Sequence, residues 1–152
     1  MFSALLLPLV LAGAPAGPVV APNDDPPIQV WINNDDPKNV ETLVKTVNDA
    51  VLANKAKELK GFFIFVDDDA KAIEPKLTAL AEKQSVNDIA LAYLSKDNGA
   101  VEAYKINLAP EVKNTVIVYR HKVVTAKIVN LTADEKGLAE LKTAMDSALN
   151  AP

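Results

Sequence analysis

Short apolar runs that are typical of strands alternate with amphipathic, helix-like segments, and this alternation restricts the possible folds more than any other feature of the sequence. Runs rich in β-branched and aromatic residues predict strands at 28–33, 62–67, 89–94, 115–120 and 123–130. Helical spacing of apolar residues predicts helices at 37–59, 73–84, 100–104 and 138–149. Strands joined through helices pair in parallel, and right-handed crossovers place those helices on the faces of the sheet. We therefore expect an α/β domain that closes with an antiparallel hairpin.

The ends of the first two helices are predicted from local residue choice. Asp36 followed by Pro37 is typical of an N-cap and a first helical residue. Lys60 and Gly61 indicate the end of the long first helix. Pro75 is expected near the start of the second helix, because a proline deeper in a helix removes a hydrogen bond.

The last third of the chain contains a predicted hairpin and a final helix. The hairpin is expected to turn at His121 and Lys122. Thr132 and Glu135 match the capping-box pattern, which predicts Thr132 as the cap of the final helix.

His121 is the only histidine, and it lies in the predicted hairpin turn between Arg120 and Lys122. We therefore interpret it as an exposed turn residue without a catalytic role. One histidine and no cysteine also argue against a zinc site.

The first 27 residues differ from the rest of the chain. An apolar run at 4–12 is followed by small residues, which predicts a secretory signal peptide over 1–17, and a Pro/Asp-rich linker follows at 18–27. A buried N-terminal strand or helix is the alternative, which Pro8 disfavours. The apolar run is too short to span a bilayer. We therefore predict one domain at 28–150 that is secreted or periplasmic after cleavage, with no stable membrane insertion.

The charged residues argue against nucleic acid as a partner. The formal net charge is −4, and Arg120 is the only arginine among 16 basic residues. Bidentate phosphate recognition favours arginine, and no basic stripe is visible in the sequence.

The aromatic residues Trp31, Phe62, Phe63 and Phe65 are expected to pack in the core of the sheet.

The order of strands and helices, with a closing hairpin and a terminal helix, resembles the thioredoxin superfamily, in particular exported thioredoxins and peroxiredoxins. The resemblance covers about 28–149 and implies a five-stranded mixed sheet in the order 3-2-1-4-5 with helices on both faces. Members of that superfamily carry Trp-Cys-x-x-Cys at the start of the long helix. The matching stretch from Trp31 to Lys38 reads Trp-Ile-Asn-Asn-Asp-Asp-Pro-Lys and contains no cysteine.

A second feature of the superfamily is also absent. Its cis-proline precedes the fourth strand, at the position of Asn114. We expect a trans peptide bond there, because a non-proline cis bond costs about 2.5–4 kcal/mol. The chain contains no cysteine at all, so it cannot supply the thiolate that thiol–disulfide or peroxidase chemistry needs.

The resemblance also implies a contact surface, because the superfamily holds extended substrates beside these two features. The residues at the matching positions are Asn34, Asp35, Asp36, Lys113, Asn114 and Thr115. We interpret the chain as a redox-inactive binding or adaptor module for an unidentified protein partner. No catalytic residue and no bound cofactor are predicted.

Acidic residues at the predicted strand ends suggest an alternative. Parallel strands bring their carboxyl ends to one edge of the sheet, and oxygen ligands there suit Ca²⁺ or Mg²⁺. The candidate ligands are Asp35, Asp36, Asp67, Asp68, Asp69 and Asp97. The same residues are also those preferred at helix caps and turns. The alternative function is a divalent-cation-binding protein or a cation-dependent enzyme.

Overall fold

The computed structural model describes residues 27–150 as a five-stranded sheet with four α-helices. The strands are β1 (Pro27–Ile32), β2 (Lys60–Val66), β3 (Ala90–Leu94), β4 (Asn114–Arg120) and β5 (Val123–Val129). The helices are α1 (Pro37–Ala53), α2 (Ala70–Lys83), α3 (Gly99–Ala103) and α4 (Glu135–Asn150). The predicted signal peptide and linker lie outside the described residues, except that Pro27 begins β1.

The strand order is β3-β2-β1-β4-β5, as predicted. β1 pairs in parallel with β2, and β2 with β3, whereas β4 is antiparallel to both β1 and β5. The carboxyl ends of β1, β2 and β3 therefore lie at the same edge of the sheet, which we call the carboxyl edge.

Helices cover both faces of the sheet. α1, α2 and α4 pack on one face, against alternate residues of the central strands such as Val30 and Phe63. The short α3 covers the other face, where Trp31 and Ile64 are buried. Successive strand residues therefore point into different apolar layers, which explains why the central strands are apolar nearly throughout. Trp31, Phe63 and Phe65 are buried as predicted, and Phe62 is partly buried.

The long first helix ends earlier than predicted, at Ala53 rather than near 59. The side chain of Asn54 donates to the carbonyl oxygen of Ala50 (2.8 Å), and a short 3₁₀ turn follows at Lys55–Lys57. Glu58 then adopts a left-handed conformation (φ 58°). Gly61 belongs to β2, where a Cβ atom would lie only 2.6 Å from Ile89 Cγ2. Close packing, and not helix termination, explains this glycine.

Two other local predictions are corrected. The cap of α4 is Asp134, whose Oδ1 accepts a hydrogen bond from the backbone N–H of Gly137 (2.8 Å), and Thr132 lies exposed before it. Pro75 lies in the second turn of α2, further from the start than expected. Its missing N–H leaves only the carbonyl of Lys71 without a helical donor, and Lys71 is exposed to solvent.

The hairpin between β4 and β5 turns at His121 and Lys122, as predicted. Both residues have positive φ angles (47° and 65°), which is the geometry of a two-residue hairpin turn that matches the strand twist. No helix within residues 27–150 is long and apolar enough to cross a membrane.

Candidate functional site

The structure brings together the two segments that the sequence predicted as a contact surface. The segment at 33–37, which we call the 33–37 loop, follows β1 and ends at Pro37, the first residue of α1; it lies at the carboxyl edge, beside the start of β4. The backbone N–H groups of Asn33 and Asn34 donate to the carbonyl oxygen of Lys113 (2.9 and 3.3 Å). The side chain of Asn33 also donates to the carbonyl oxygen of Val112 (2.8 Å). The loop is therefore fixed to the segment that precedes β4.

Asp35 is the centre of a hydrogen-bond network at this junction. Its Oδ1 accepts from the backbone N–H of Asp36 (2.8 Å). Its Oδ2 accepts from the side-chain amides of Asn39 and Asn114 (2.7 Å each). The carboxylate is thus satisfied by three donors within the protein, and it helps to hold the start of α1 against β4.

Asn114 is the buried partner of Asp35 in this network and is 1% exposed. Its Nδ2 also donates to the carbonyl oxygen of Leu131 (3.0 Å), and its Oδ1 accepts from the N–H of Leu131 (2.8 Å). No peptide bond among residues 27–150 is cis, so the expected trans bond at Asn114 is confirmed. Asn114 therefore connects β4 to the segment between β5 and α4.

Asn39 is a third member of the network that the sequence pattern did not single out. Its amide donates to Asp35 and to the carbonyl oxygen of Leu131 (3.0 Å), and its Oδ1 accepts from the N–H of Ala133 (2.7 Å). The only available signal was the spacing of four residues between Asp35 and Asn39, which places both side chains on one side of the helix start.

The network leaves little of the backbone free for an extended ligand. The carbonyl oxygen of Lys113 accepts two hydrogen bonds, and its N–H donates to Oδ1 of Asn130 (2.7 Å). Thr115 is buried in β4 between Trp31 and Val129. Of the six predicted contact residues, Asn34, Asp36 and Lys113 are exposed, Asp35 is half-buried, and Asn114 and Thr115 are buried.

Two clefts flank the 33–37 loop. A polar cleft of about 540 Å³ lies toward β4 and α4, where Lys38, Lys113 and Asp134 contribute to its walls. An apolar groove of about 490 Å³ lies between α1 and α2, with Ile32 and Phe65 among its lining residues. Asp35 borders both clefts. The loop therefore forms a ridge between a polar and an apolar depression.

The acidic residues of the carboxyl edge act as caps and turn formers. Asp36 accepts from the N–H of Lys38 (2.9 Å) at the start of α1, and Asp69 accepts from that of Ala72 (3.1 Å) at the start of α2. Asp67 accepts from the N–H of Asp69 (2.9 Å).

The last two candidate ligands have local partners as well. The carboxylate of Asp68 accepts from the N–H of Lys96 (2.8 Å), which holds the pKa of this carboxyl below its usual value. Asp97 accepts from the hydroxyl of Ser95. Within residues 27–150 no group of three or more histidine, aspartate or glutamate side chains could hold a metal ion. The structure thus gives no support to the cation site considered from the sequence.

His121 lies exposed at the hairpin turn, where its Nε2 accepts from Nε of Arg120 (3.2 Å).

The face of the sheet that α3 covers contains a buried polar group that the sequence did not reveal. Gln29 is fully buried, donates to the hydroxyl of Tyr119 (2.6 Å) and accepts from the indole N–H of Trp31 (3.0 Å). Burial raises the pKa of Tyr119 well above its usual value, and the neighbouring Tyr104 adds to the effect. A glutamine in an otherwise apolar strand was the signal for this cluster.

Comparison with solved structures identifies the fold. The structure resembles a protein assigned as thiol:disulfide interchange protein DsbE from Chlorobium tepidum, with a TM-score of 0.65, 12% identity, and coverage of 84% of this chain and 82% of that chain. It also resembles an uncharacterized thioredoxin-like protein from Porphyromonas gingivalis (TM-score 0.58, 16% identity, 86% and 80% coverage). A third similar structure is peroxidoxin BcpB from Mycobacterium tuberculosis (TM-score 0.53, 18% identity, 78% and 79% coverage).

These similarities show that the chain has the thioredoxin-like fold. At such low sequence identities they concern the fold alone. No protein-family model matches the sequence, and no curated protein does either. At the positions where the sequence resemblance implies a cysteine pair and a cis-proline, the structure has Asp35 and Asn114, which hydrogen-bond to each other, and Asp35 also accepts from Asn39. The chain thus combines a thioredoxin-like scaffold with a junction that contains no sulfur nucleophile.

Proposed function

We propose that this chain is a redox-inactive binding module that contacts a protein partner outside the cytoplasm, through the ridge formed by the 33–37 loop and the adjoining Lys113. The observation that carries the proposal is the closed network around Asp35. Three donors satisfy this carboxylate, so the junction is suited to presenting a fixed surface and not to reacting with a substrate.

The exposed groups on the ridge define how a partner would be recognised. The backbone of Lys113 is already hydrogen-bonded within the protein, so a partner strand cannot pair with it. Contact therefore relies on side chains, among which Asn34, Asp36 and Lys113 are exposed. Asp36 and Lys113 line the same cleft, so the ridge presents both signs of charge, which favours a partner surface of mixed charge over a strongly basic or acidic one.

The test is affinity capture from an extracytoplasmic extract of the source organism with the full-length chain, its Lys113→Glu variant and its Lys60→Glu variant. Lys60 is the matched control, because it is an exposed lysine at the start of β2, at the opposite edge of the sheet. We expect Lys113→Glu to lose captured proteins that Lys60→Glu retains. Capture of the same proteins by both variants would reject this surface.

Asn114 and Asp35 are unsuitable positions for this test. Both side chains hold the junction together, so a lost interaction in such a variant would report on folding as well as on binding. Lys113 has an exposed side chain with no ion pair among residues 27–150, so its charge can be reversed without breaking a contact of the fold.

A further inference from the structure

The apolar groove between α1 and α2 has the form of a small-molecule site that the protein-binding proposal does not need. Its volume of about 490 Å³ lies within the range of ligand pockets. Ile32 of β1 and Phe65 of β2 line it, together with Val40 of α1 and Ile73 and Leu77 of α2. All five side chains are at least nine-tenths buried, so they form an ordered floor. The accessible apolar surface of the groove comes from the less buried lining residues Pro37, Ala79 and Leu80.

An ion pair connects the two helices that form the groove. Nζ of Lys83 on α2 lies 2.8 Å from Oε1 of Glu41 on α1, and both residues line the groove. A solvent-exposed pair of this kind contributes little to stability. The pair spans the groove, whereas the spacing of α1 and α2 is set by the packing of both helices on the sheet, which leaves the groove preformed.

The charges around the groove indicate the ligand. The charged residues that line it are Asp35, Glu41, Lys76 and Lys83. Asp35 is satisfied by three donors, and Glu41 neutralises Lys83. Lys76 forms no ion pair within residues 27–150. The groove thus combines an apolar lining with one uncommitted positive charge at its rim.

We propose that this groove binds a medium-chain aliphatic monocarboxylate, with the acyl chain along Ala79 and Leu80, above the floor formed by Phe65 and Leu77, and the carboxylate at Lys76. Burial of methylene groups supplies the affinity, and Lys76 selects an anionic head group. The 33–37 loop lines one side of the groove through Asn33, Asn34, Asp35 and Pro37, but the residues that carry this proposal lie on β2 and α2, outside the proposed partner surface.

The first test is a chain-length series of hexanoate, octanoate and decanoate, titrated into the full-length chain by calorimetry. We expect the affinity to rise about 3- to 4-fold for each added methylene, which corresponds to about 0.8 kcal/mol per buried CH₂. Octyltrimethylammonium, which has an apolar chain and a cationic head, should bind more weakly than octanoate. N-acetylleucine, which carries the carboxylate on a peptide-like body, should also bind more weakly. Affinity independent of chain length, or equal or tighter binding of either comparison compound, would overturn the proposal.

The second test uses variants of exposed residues on α2. Lys76→Gln should weaken octanoate binding about 3- to 5-fold, the loss expected for one partly exposed charge pair. Lys71→Gln is the matched control, because Lys71 is exposed on the same helix and does not line the groove. Ala79→Phe fills the rim from an exposed helix position and should reduce octanoate binding at least 10-fold.

Equal octanoate affinity in the two lysine variants, or unchanged affinity in Ala79→Phe, would reject the site. The Lys113→Glu variant separates this result from the protein-binding test. Lys113 lines the polar cleft and not the groove, so this variant should bind octanoate as the unmodified chain does. Loss of octanoate binding in Lys113→Glu would place the ligand elsewhere and would also overturn the proposal.

Discussion

At the scale of single residues, the most informative position is Asn114. The resemblance implies a proline at this position, and the asparagine side chain makes three hydrogen bonds that a proline cannot make. Its Nδ2 donates to Asp35 and to the carbonyl oxygen of Leu131, and its Oδ1 accepts from the N–H of Leu131. A buried amide is costly unless its donors and acceptors are satisfied, and here they are. The residue therefore has a structural role, and its binding role stays a prediction.

The variant Asn114→Ala should lower the free energy of unfolding by about 2–4 kcal/mol, because it leaves the carboxylate of Asp35 and the backbone of Leu131 without their partner. Urea denaturation at neutral pH measures the change. Asn34→Ala is the control, since the Asn34 side chain is exposed on the adjoining loop, and it should change the free energy by less than about 0.5 kcal/mol. Equal effects of the two substitutions would contradict the role assigned to Asn114.

Tyr119 predicts how stability depends on alkaline pH. Burial raises its pKa in the folded protein above the ordinary value of 10.0. The folded state therefore keeps the phenol proton at pH values where the unfolded chain has lost it. Above pH 10 unfolding releases this proton, and the free energy of unfolding falls with a limiting slope of about 1.4 kcal/mol per pH unit from this group.

The variant Tyr119→Phe should reduce that slope between about pH 10 and pH 11.5 in urea denaturation. It should also lose about 1–2 kcal/mol of stability at neutral pH, because Gln29 donates to the Tyr119 hydroxyl at 2.6 Å. Tyr93 also has a raised pKa, through its hydrogen bond to Glu74, and remains in both proteins. Identical slopes in the two proteins would show that Tyr119 does not titrate as inferred.

At the scale of elements, helix boundaries depended on contacts that local sequence does not show. The pattern Thr-x-x-Glu suggested a capping box at Thr132, but α4 begins two residues later, with Asp134 as its cap. The N–H of Ala133 donates to Oδ1 of Asn39 in α1, and the N–H of Leu131 donates to Oδ1 of Asn114 in β4. The segment before α4 is therefore held by tertiary hydrogen bonds, and the helix can begin only after it.

The variant Asp134→Ala should lower the free energy of unfolding by about 1 kcal/mol, the usual effect of removing an N-cap. Thr132→Ala should change it by less than about 0.5 kcal/mol, since Thr132 is an exposed residue outside the helix. Thermal unfolding followed by circular dichroism measures both. A larger loss of unfolding free energy for Thr132→Ala than for Asp134→Ala would show that Thr132 caps α4, as the sequence pattern predicted.

The sheet edge formed by β5 carries exposed valines at positions 123, 124 and 129, with exposed fractions of 64%, 56% and 50%. Lys127 lies in the same strand, and the pairing of β5 with β4 has a register shift next to Tyr119. A charged residue and an irregular register are features that protect edge strands from pairing with other chains. The exposed valines therefore do not by themselves indicate an interface.

At the scale of the whole molecule, the parallel strands concentrate polar and acidic residues at the carboxyl edge. Each of the six aspartates there has a local hydrogen-bond partner, which is why the edge forms caps, turns and a rigid ridge without assembling a metal site among residues 27–150. The ridge separates a polar cleft from an apolar groove. This arrangement follows from the fold, because α1 and α2 lie on one side of the loop, whereas the start of β4 and the β5–α4 connection lie on the other.

Addition of about 5 mM CaCl₂ should therefore leave the melting temperature unchanged within about 1 °C, because a ligand raises stability only if the folded state binds it. MgCl₂ should behave in the same way, and NaCl at matched ionic strength is the control. Differential scanning fluorimetry of the full-length chain provides the measurement. A rise of several degrees with Ca²⁺ alone would show a cation site that the geometry does not predict.

The sequence alone determined the alternation of strands and helices, the hairpin turn and the absence of a thiol, which follow from hydrophobic periodicity, turn residues and composition. The strand order was implied by the resemblance to the thioredoxin superfamily, and the two-sided covering of the sheet by that resemblance and by right-handed crossovers. Only the tertiary structure decided that Asp35 meets Asn39 and Asn114, and that an apolar groove lies beside them. Asp35 and Asn114 are 79 residues apart, and their contact depends on how β4 packs beside β1. Hydrogen bonds between such distant segments produce no repeating residue pattern, so they cannot be predicted from a single sequence.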